Sequence, residues 1–223
     1  MTSKNNAIVF DLDDTLYPEI DYLKSAYQFI SERIAPIDKT LYSLMIEKYF
    51  KNENVFDYVE KTYNVDKSQL LNWYRTHFPH LKLYPHVECF LKNFRDDFKF
   101  AIITDGRSIT QRNKIKSLGL DLYIDTIIIS EEIGSEKPSL ANFDKVKQLL
   151  NCESYCYIAD NTKKDFVTPN MMGWLTICLN DPGNNIHKQD FSLPNEFLPD
   201  IRVSSWQEIE NVFSKKIKLI RGK

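Results

Sequence analysis

The 223-residue chain is poor in glycine: it has six, the first is Gly106, and no two stand close enough to write GxG. That excludes a dinucleotide fingerprint and a Walker-type phosphate loop, which need glycines at short fixed spacing so that backbone can approach phosphate. Cysteine is scarce as well. Cys89, Cys152, Cys156 and Cys178 are scattered through apolar stretches such as YCYI and TICL, where a small buried hydrophobe fits, so reduced core residues are expected. Cys152 and Cys156 could form half a zinc site, but no second Cys or His pair stands at ligand spacing; His77, His80, His86 and His187 form no such pattern. An excess of one charge is also missing. With 29 Lys and Arg against 31 Asp and Glu, the net charge of −2 gives no general reason to bind nucleic acid or an anionic membrane. Nor is there a long hydrophobic run. The start, MTSKNNAIVF, carries one Lys before a short apolar stretch that meets Asp11, too short for a signal-peptide core or a membrane helix, so a cytoplasmic location is expected.

What the chain does have is a hydrophobic content of 43%, enough for a packed core, arranged in a regular alternation. Strand-like runs occur at AIVFDL (7–12), KFAIITD (99–105), DTIIIS (125–130), SYCYIAD (154–160) and WLTICLN (174–180). They are nearly continuous apolar runs, as expected of strands covered on both faces. Helical patterns lie between them at 86–98, 108–120 and 139–151, which implies right-handed crossovers and an α/β fold: a three-layer, Rossmann-like parallel sheet. From about Asp21 to Phe78 only helical periodicity is present. Pro18 and Pro85 bracket this insert, so the chain divides into an α/β core of residues 1–17 and 85–223 and a small all-helical cap of residues 18–84. The tail SSWQEIENVFSKKIKLIRGK reads as a final amphipathic helix whose Lys cluster is a solvated basic end.

The most informative stretch is IVFDLDDTLYP, Ile8 to Pro18, in which an apolar strand opens onto Asp11, Asp13 and Asp14. Residues two apart on a strand share a side, so Asp11 and Asp13 can face one crevice. Two such charges about 4 Å apart repel by roughly 1 kcal/mol in a water-like dielectric and about 4 kcal/mol at an effective value near 20. Protonation or a cation can relieve this, and a third carboxylate at another strand end favours the cation. SYCYIAD supplies Asp160, and NTKKD places Asp165 five residues further on. Oxygen ligands without thiolate or imidazole suit Mg²⁺, which completes its shell with water and substrate phosphate. Thr104 with Asp105 and Gly106 closes a second strand, and Lys137 follows a third; a hydroxyl, backbone N–H groups and an ammonium are what phosphoryl oxygens require.

With DLDDT at 11–15, an apolar run ending in Thr104, Lys137 before Pro138, and the acidic pair Asp160 and Asp165, the chain resembles the haloacid dehalogenase superfamily of aspartate-nucleophile phosphohydrolases. All four motifs occur in family order at strand ends. The resemblance implies that Asp11 is the nucleophile, forming an aspartyl-phosphate while its other oxygen binds Mg²⁺. Asp13 would protonate the leaving alcohol, then deprotonate the attacking water, and lend its backbone carbonyl to the metal. Thr104 and Lys137 would hold the transferring oxygens, Asp160 would bind the metal, and Asp165 would stand behind, positioning Lys137 or a metal-bound water. Ala159 replaces the family's usual Gly, with little effect expected in an ordinary β conformation. The presence of Asp13 matters more: the family's dehalogenases lack an acid there and need no Mg²⁺.

An insert between the first and second motifs is, in this family, a helical cap that closes over the site, and closure to exclude water suits a small phosphorylated metabolite, a sugar phosphate or nucleoside monophosphate. The segment from Tyr17 to Tyr84 holds 14 of the 29 aromatic residues, which could stack a base or sugar but also serve as the core of a small bundle. Arg107 and Lys24 are read as surface charges, and Asp14 and Asp105 as supports for turns. The expected activity is a Mg²⁺-dependent phosphatase; the alternatives are a phosphotransferase or phosphomutase of the same superfamily, or a non-catalytic regulatory member.

Overall fold

The computed structural model describes residues 5–38 and 40–221, with side chains up to residue 215. Residues 1–4 of the short N-terminal run, and the basic end of the last helix beyond Lys215, lie outside the described side chains.

Strand β1 (Asn6–Phe10) is the middle of the molecule. Its Ile8, Val9 and Phe10 have no exposed surface, and alternation sends Ile8 and Phe10 to one face and Ala7 and Val9 to the other. Helices α1 (Glu19–Ile34), α2 (Thr40–Phe50), α3 (Val55–Tyr63) and α4 (Lys67–Thr76) follow, then α5 (Val87–Phe94). The remainder alternates as the apolar runs require: β2 (Lys99–Thr104), α6 (Ser108–Ser117), β3 (Thr126–Ile129), the short α7 (Ser130–Ile133), α8 (Leu140–Leu150), β4 (Ser154–Ala159), the short α9 (Val167–Met171) and β5 (Leu175–Leu179). A sixth strand, β6 (Ile201–Val203), precedes α10 (Trp206–Arg221) and carries no sequence signal, being three residues long.

All five pairings are parallel and the order is β3-β2-β1-β4-β5-β6. One face packs Phe10, Phe90, Phe100, Trp206 and Phe213 beneath α5 and α10; the other packs Phe143, Tyr157, Phe166 and Trp174 beneath α8. The sheet is therefore the middle of three layers, the Rossmann-like α/β architecture its sequence implies. After β3 the chain crosses β1 to start β4, so the reversal of strand order falls between β1 and β4, and ligands in such sheets bind outside the carboxyl ends at that point.

Helices α1–α4 have an apolar interior of their own, built from residues such as Leu23, Ile30, Leu41, Met45, Val59 and Leu70. The aromatic residues of this segment largely pack on each other within it: Tyr27 lies edge-on to Tyr49 and Phe56, and Tyr22 edge-on to Tyr74. Among the described residues no helix is long and apolar enough to cross a membrane. The turn after β1 is pinned from a distance, because the buried Trp206 indole N–H donates to the Thr15 carbonyl at 2.9 Å.

Candidate active site

The carboxyl ends of β1, β2 and β4 bring the sequence-identified acids and cation to one place. Asp11 continues β1, its N–H donating to the Ile158 carbonyl of β4 at 2.9 Å, which fixes it beside Asp160. Lys137 Nζ lies 2.5 Å from Asp11 Oδ1 and 2.7 Å from Asp165 Oδ1, all three groups buried. Asp165 also accepts the Asn161 N–H at 3.0 Å, closing the loop after β4 into a tight turn. Asp160 accepts from the Thr15 hydroxyl at 3.2 Å and from the Asn185 amide at 3.1 Å.

Asp13 stands at the edge of this group among donors from outside the motif. Lys114 Nζ is 2.7 Å from its Oδ1, Gln111 Nε2 donates to its Oδ2 at 2.9 Å, and the Tyr17 hydroxyl donates to the same carboxylate. Burial pushes the Asp13 carboxyl up, but Lys114, Tyr17 and Gln111 outweigh it and hold it below the ordinary value. The neighbouring acids go the other way. Burial, with Asp165 adding repulsion, raises Asp11 to about 7 against the pull of Lys137, and burial with Asp11 and Asp165 nearby raises Asp160 well above the carboxylate range. Burial disfavours a charged Lys137, yet Asp11 and Asp165 prevail and raise it.

This crowding bears directly on a cation. Asp11, Asp160 and Asp165 each offer a carboxylate oxygen, and the three oxygens lie within 4.8 Å of one another. An all-oxygen set under mutual repulsion fits a hard divalent ion such as Mg²⁺: Lys137 lies against one oxygen each of Asp11 and Asp165, and Asp160 has no ion-pair partner among the described residues.

Thr104 is buried at the end of β2, where its hydroxyl accepts from Gln111 at 2.5 Å. Asp105 serves as a bracket, accepting from the Lys137 N–H at 3.0 Å and from Lys164 Nζ at 2.7 Å. Gly106 takes the positive φ of +129° that the turn after β2 requires, and its N–H donates to Ser130 Oγ at 2.9 Å, so that group is already engaged. Asp14, at φ +54°, accepts from the Glu19 and Ile186 N–H groups at 2.8 and 2.9 Å and holds two chain segments together. Arg107 is exposed and Lys24 half-buried, and they pair with Glu131 and Asp21, apart from the acid cluster.

The acids open into a cavity of about 120 Å³ whose lining includes Asp11, Asp13, Glu19, Asp160, Lys164 and His187 and no Phe, Tyr or Trp. Glu19, at the start of α1, is raised to about 8 by burial and by the nearby Asp13. His187 is held below its ordinary value by burial and by Lys164, and so is neutral at neutral pH. The sequence motifs do not single out Glu19, Gln111, Lys114, Lys164, Asn185 or His187. A signal exists for two of them: Thr110, Gln111, Lys114 and Ile115 form one buried stripe of α6, a face on which helical spacing calls for hydrophobes.

A model of haloacid dehalogenase-like hydrolases matches residues 8–177. The chain belongs to this family. Among other members it is 28% identical to the glyceraldehyde 3-phosphate phosphatase of Methanopyrus kandleri over 88% of this chain and 97% of that one. It is 24% identical to the N-acylneuraminate-9-phosphatase of Rattus norvegicus over 93% of each chain. Its fold is similar to that of magnesium-bound YfnB from Bacillus subtilis, with a TM-score of 0.70 and 19% identity over 94% of this chain and 98% of that one.

Proposed function

We propose that this haloacid dehalogenase-like hydrolase is a Mg²⁺-dependent phosphatase that hydrolyses a small phosphorylated metabolite through an aspartyl-phosphate on Asp11. The observation that carries the reading is the convergence of Asp11, Asp160 and Asp165 around Lys137, with Asp13 beside them at the mouth of a polar cavity. The relatives named as phosphatases of glyceraldehyde 3-phosphate and N-acylneuraminate 9-phosphate support it. Mg²⁺ held by Asp11, Asp160 and the Asp13 carbonyl supplies positive charge against the phosphoryl oxygens.

In the first step an Asp11 oxygen forms a bond to phosphorus as the bond to the leaving alcohol breaks, and Asp13, which takes up a proton as the negative phosphate enters beside it, gives that proton to the departing oxygen. In the second, Asp13 takes a proton from water, which attacks phosphorus and releases phosphate from Asp11. Lys137 offsets the approach of carboxylate to phosphate, and Thr104 hydrogen-bonds a transferring oxygen. Residues 18–84 act as a cap, since Glu19 of α1 already lines the cavity. The lining has no Phe, Tyr or Trp and offers a nucleobase only the His187 imidazole, while its carboxylates and Lys164 suit the hydroxyls of a sugar or short polyol phosphate.

The test is phosphate release from a metabolite panel with and without Mg²⁺, for the wild type and Asp11→Asn. Release that requires Mg²⁺ and disappears in the folded variant is expected; a variant as active as wild type refutes Asp11 as nucleophile.

A further inference from the structure

The loop between β5 and β6 belongs to none of the family motifs, yet it forms one wall of the acid cluster. Gln189 Nε2 donates to the carbonyls of Asp160 and Leu179, both at 2.8 Å, and its Oε1 accepts the Asp181 N–H at 3.0 Å. Asp181 Oδ1 in turn accepts the Asn185 N–H at 3.0 Å, and the Ile186 N–H is held by Asp14 at 2.9 Å. These bonds fix Asn185 over the end of β4.

Asn185 is 4% exposed. Its Nδ2 donates to Asp160 Oδ2 at 3.1 Å, while its Oδ1 is buried with no hydrogen-bond partner among the described residues. Facing an Asp160 ionised as a metal ligand must be, the amide sits this way round, because turned over it would set two acceptor oxygens against each other. The lone oxygen therefore sits one amide width from the bond to Asp160. A buried carbonyl without a donor is costly enough that proteins rarely keep one unless a partner is supplied. The donors implied at this spot are the waters that Mg²⁺ retains when it binds through few carboxylates, since their O–H groups are polarised by the ion.

We infer that Asn185 is a positioning residue of the metal site: its Nδ2 orients the Asp160 carboxylate, and its Oδ1 accepts a hydrogen bond from a metal-bound water. The inference rests on the Mg²⁺ site proposed above. Partners of this kind commonly change metal affinity by about 10- to 100-fold when removed.

The experiment is calorimetric titration of Mg²⁺ into wild type, Asn185→Leu and Asn185→Ser, with the melting temperature of each in EDTA as the measure of fold. Wild type is expected to bind, Asn185→Leu to bind at least about tenfold more weakly, and Asn185→Ser, whose hydroxyl can both donate to Asp160 and accept from a water, to bind more tightly than Asn185→Leu. Equal affinity in wild type and Asn185→Leu overturns the role of Asn185 and leaves the metal site standing. Should Asn185→Leu fail to fold, Asn185→Ser decides: a loss as large as that expected for the leucine variant overturns the inference. Absence of any Mg²⁺ binding in wild type overturns both the inference and the metal reading beneath it.

Discussion

Lys114 Nζ and Asp13 Oδ1 form a 2.7 Å ion pair that joins the second crossover helix to the turn after the first strand. The Lys114 ammonium also lies 4.4 Å from the centre of the Tyr22 ring on α1, so one side chain touches the acid, its own helix and the helical insert. Lys114→Met removes the main force holding the Asp13 carboxyl low, and its pKa rises. With Asp13 supplying the leaving-group proton, the alkaline limb of kcat/KM is expected to move to higher pH. Stability should fall by about 3 kcal/mol in denaturant titration, because a carboxylate loses its buried partner. An unmoved limb would separate Asp13 from proton transfer.

Mg²⁺ should stabilise the fold by relieving the repulsion among Asp11, Asp160 and Asp165. At about 100 times the dissociation constant the gain is about 2.7 kcal/mol, or roughly 5–11 °C in melting temperature for a chain of this size. Scanning fluorimetry with Mg²⁺ or EDTA measures it, and Asp160→Asn should lose most of the rise. An equal rise in that variant would place the ion elsewhere.

Glu19 titrates near 8 in the folded chain because it is buried near Asp13, against an ordinary value of 4.5. The folded state therefore holds a proton that the unfolded state has released, and stability drains away as pH climbs from about 4.5 to about 8. Glu19→Gln removes this dependence. Its melting temperature should exceed that of wild type by a margin that widens from pH 5 to pH 8, at about 2–4 °C per kcal/mol. A constant difference across that range would contradict the raised value.

Asp14 is expected to matter to structure more than to chemistry. Asp14→Ala gives up two N–H bonds to a carboxylate and leaves a β-carbon at φ +54° without the side-chain support that favours Asp there. A loss of about 2–4 kcal/mol in urea unfolding is expected, with Asp14→Asn losing markedly less. If the two variants are equally unstable, the paired carboxylate oxygens and not the backbone conformation govern the turn, since Asn tolerates positive φ as Asp does.

Much of this architecture is legible in the sequence. Five of the six strands appear as continuous apolar runs, because strands buried on both faces need hydrophobes at every position. The acids of the candidate site are legible because several carboxylates at the end of a buried run are costly unless a cation or a proton compensates them. Strand β6 is hidden by its length, and α6 ends at Ser117, short of the expected 120, because Gly119 takes φ +65° and turns the chain out of the helix. The clamp on Asp13 is hidden for a different reason. Helical periodicity identifies a face, but not which distant residue that face will meet, so Lys114 reads as one more surface lysine until the fold sets it against a residue 101 positions away. Asn185 and His187 lie in an irregular loop with no periodicity at all.

The hydrogen bond from the Trp206 indole to the Thr15 carbonyl joins positions 191 residues apart. The turn that carries Asp11 is synthesised before Trp206, so one of its buried supports is made only after β6 has emerged. Until then the turn is attached to an incomplete sheet, and a nascent chain is expected to be inert toward phosphorylated metabolites. A residue far downstream thus completes the support of the turn to which the chemistry is assigned.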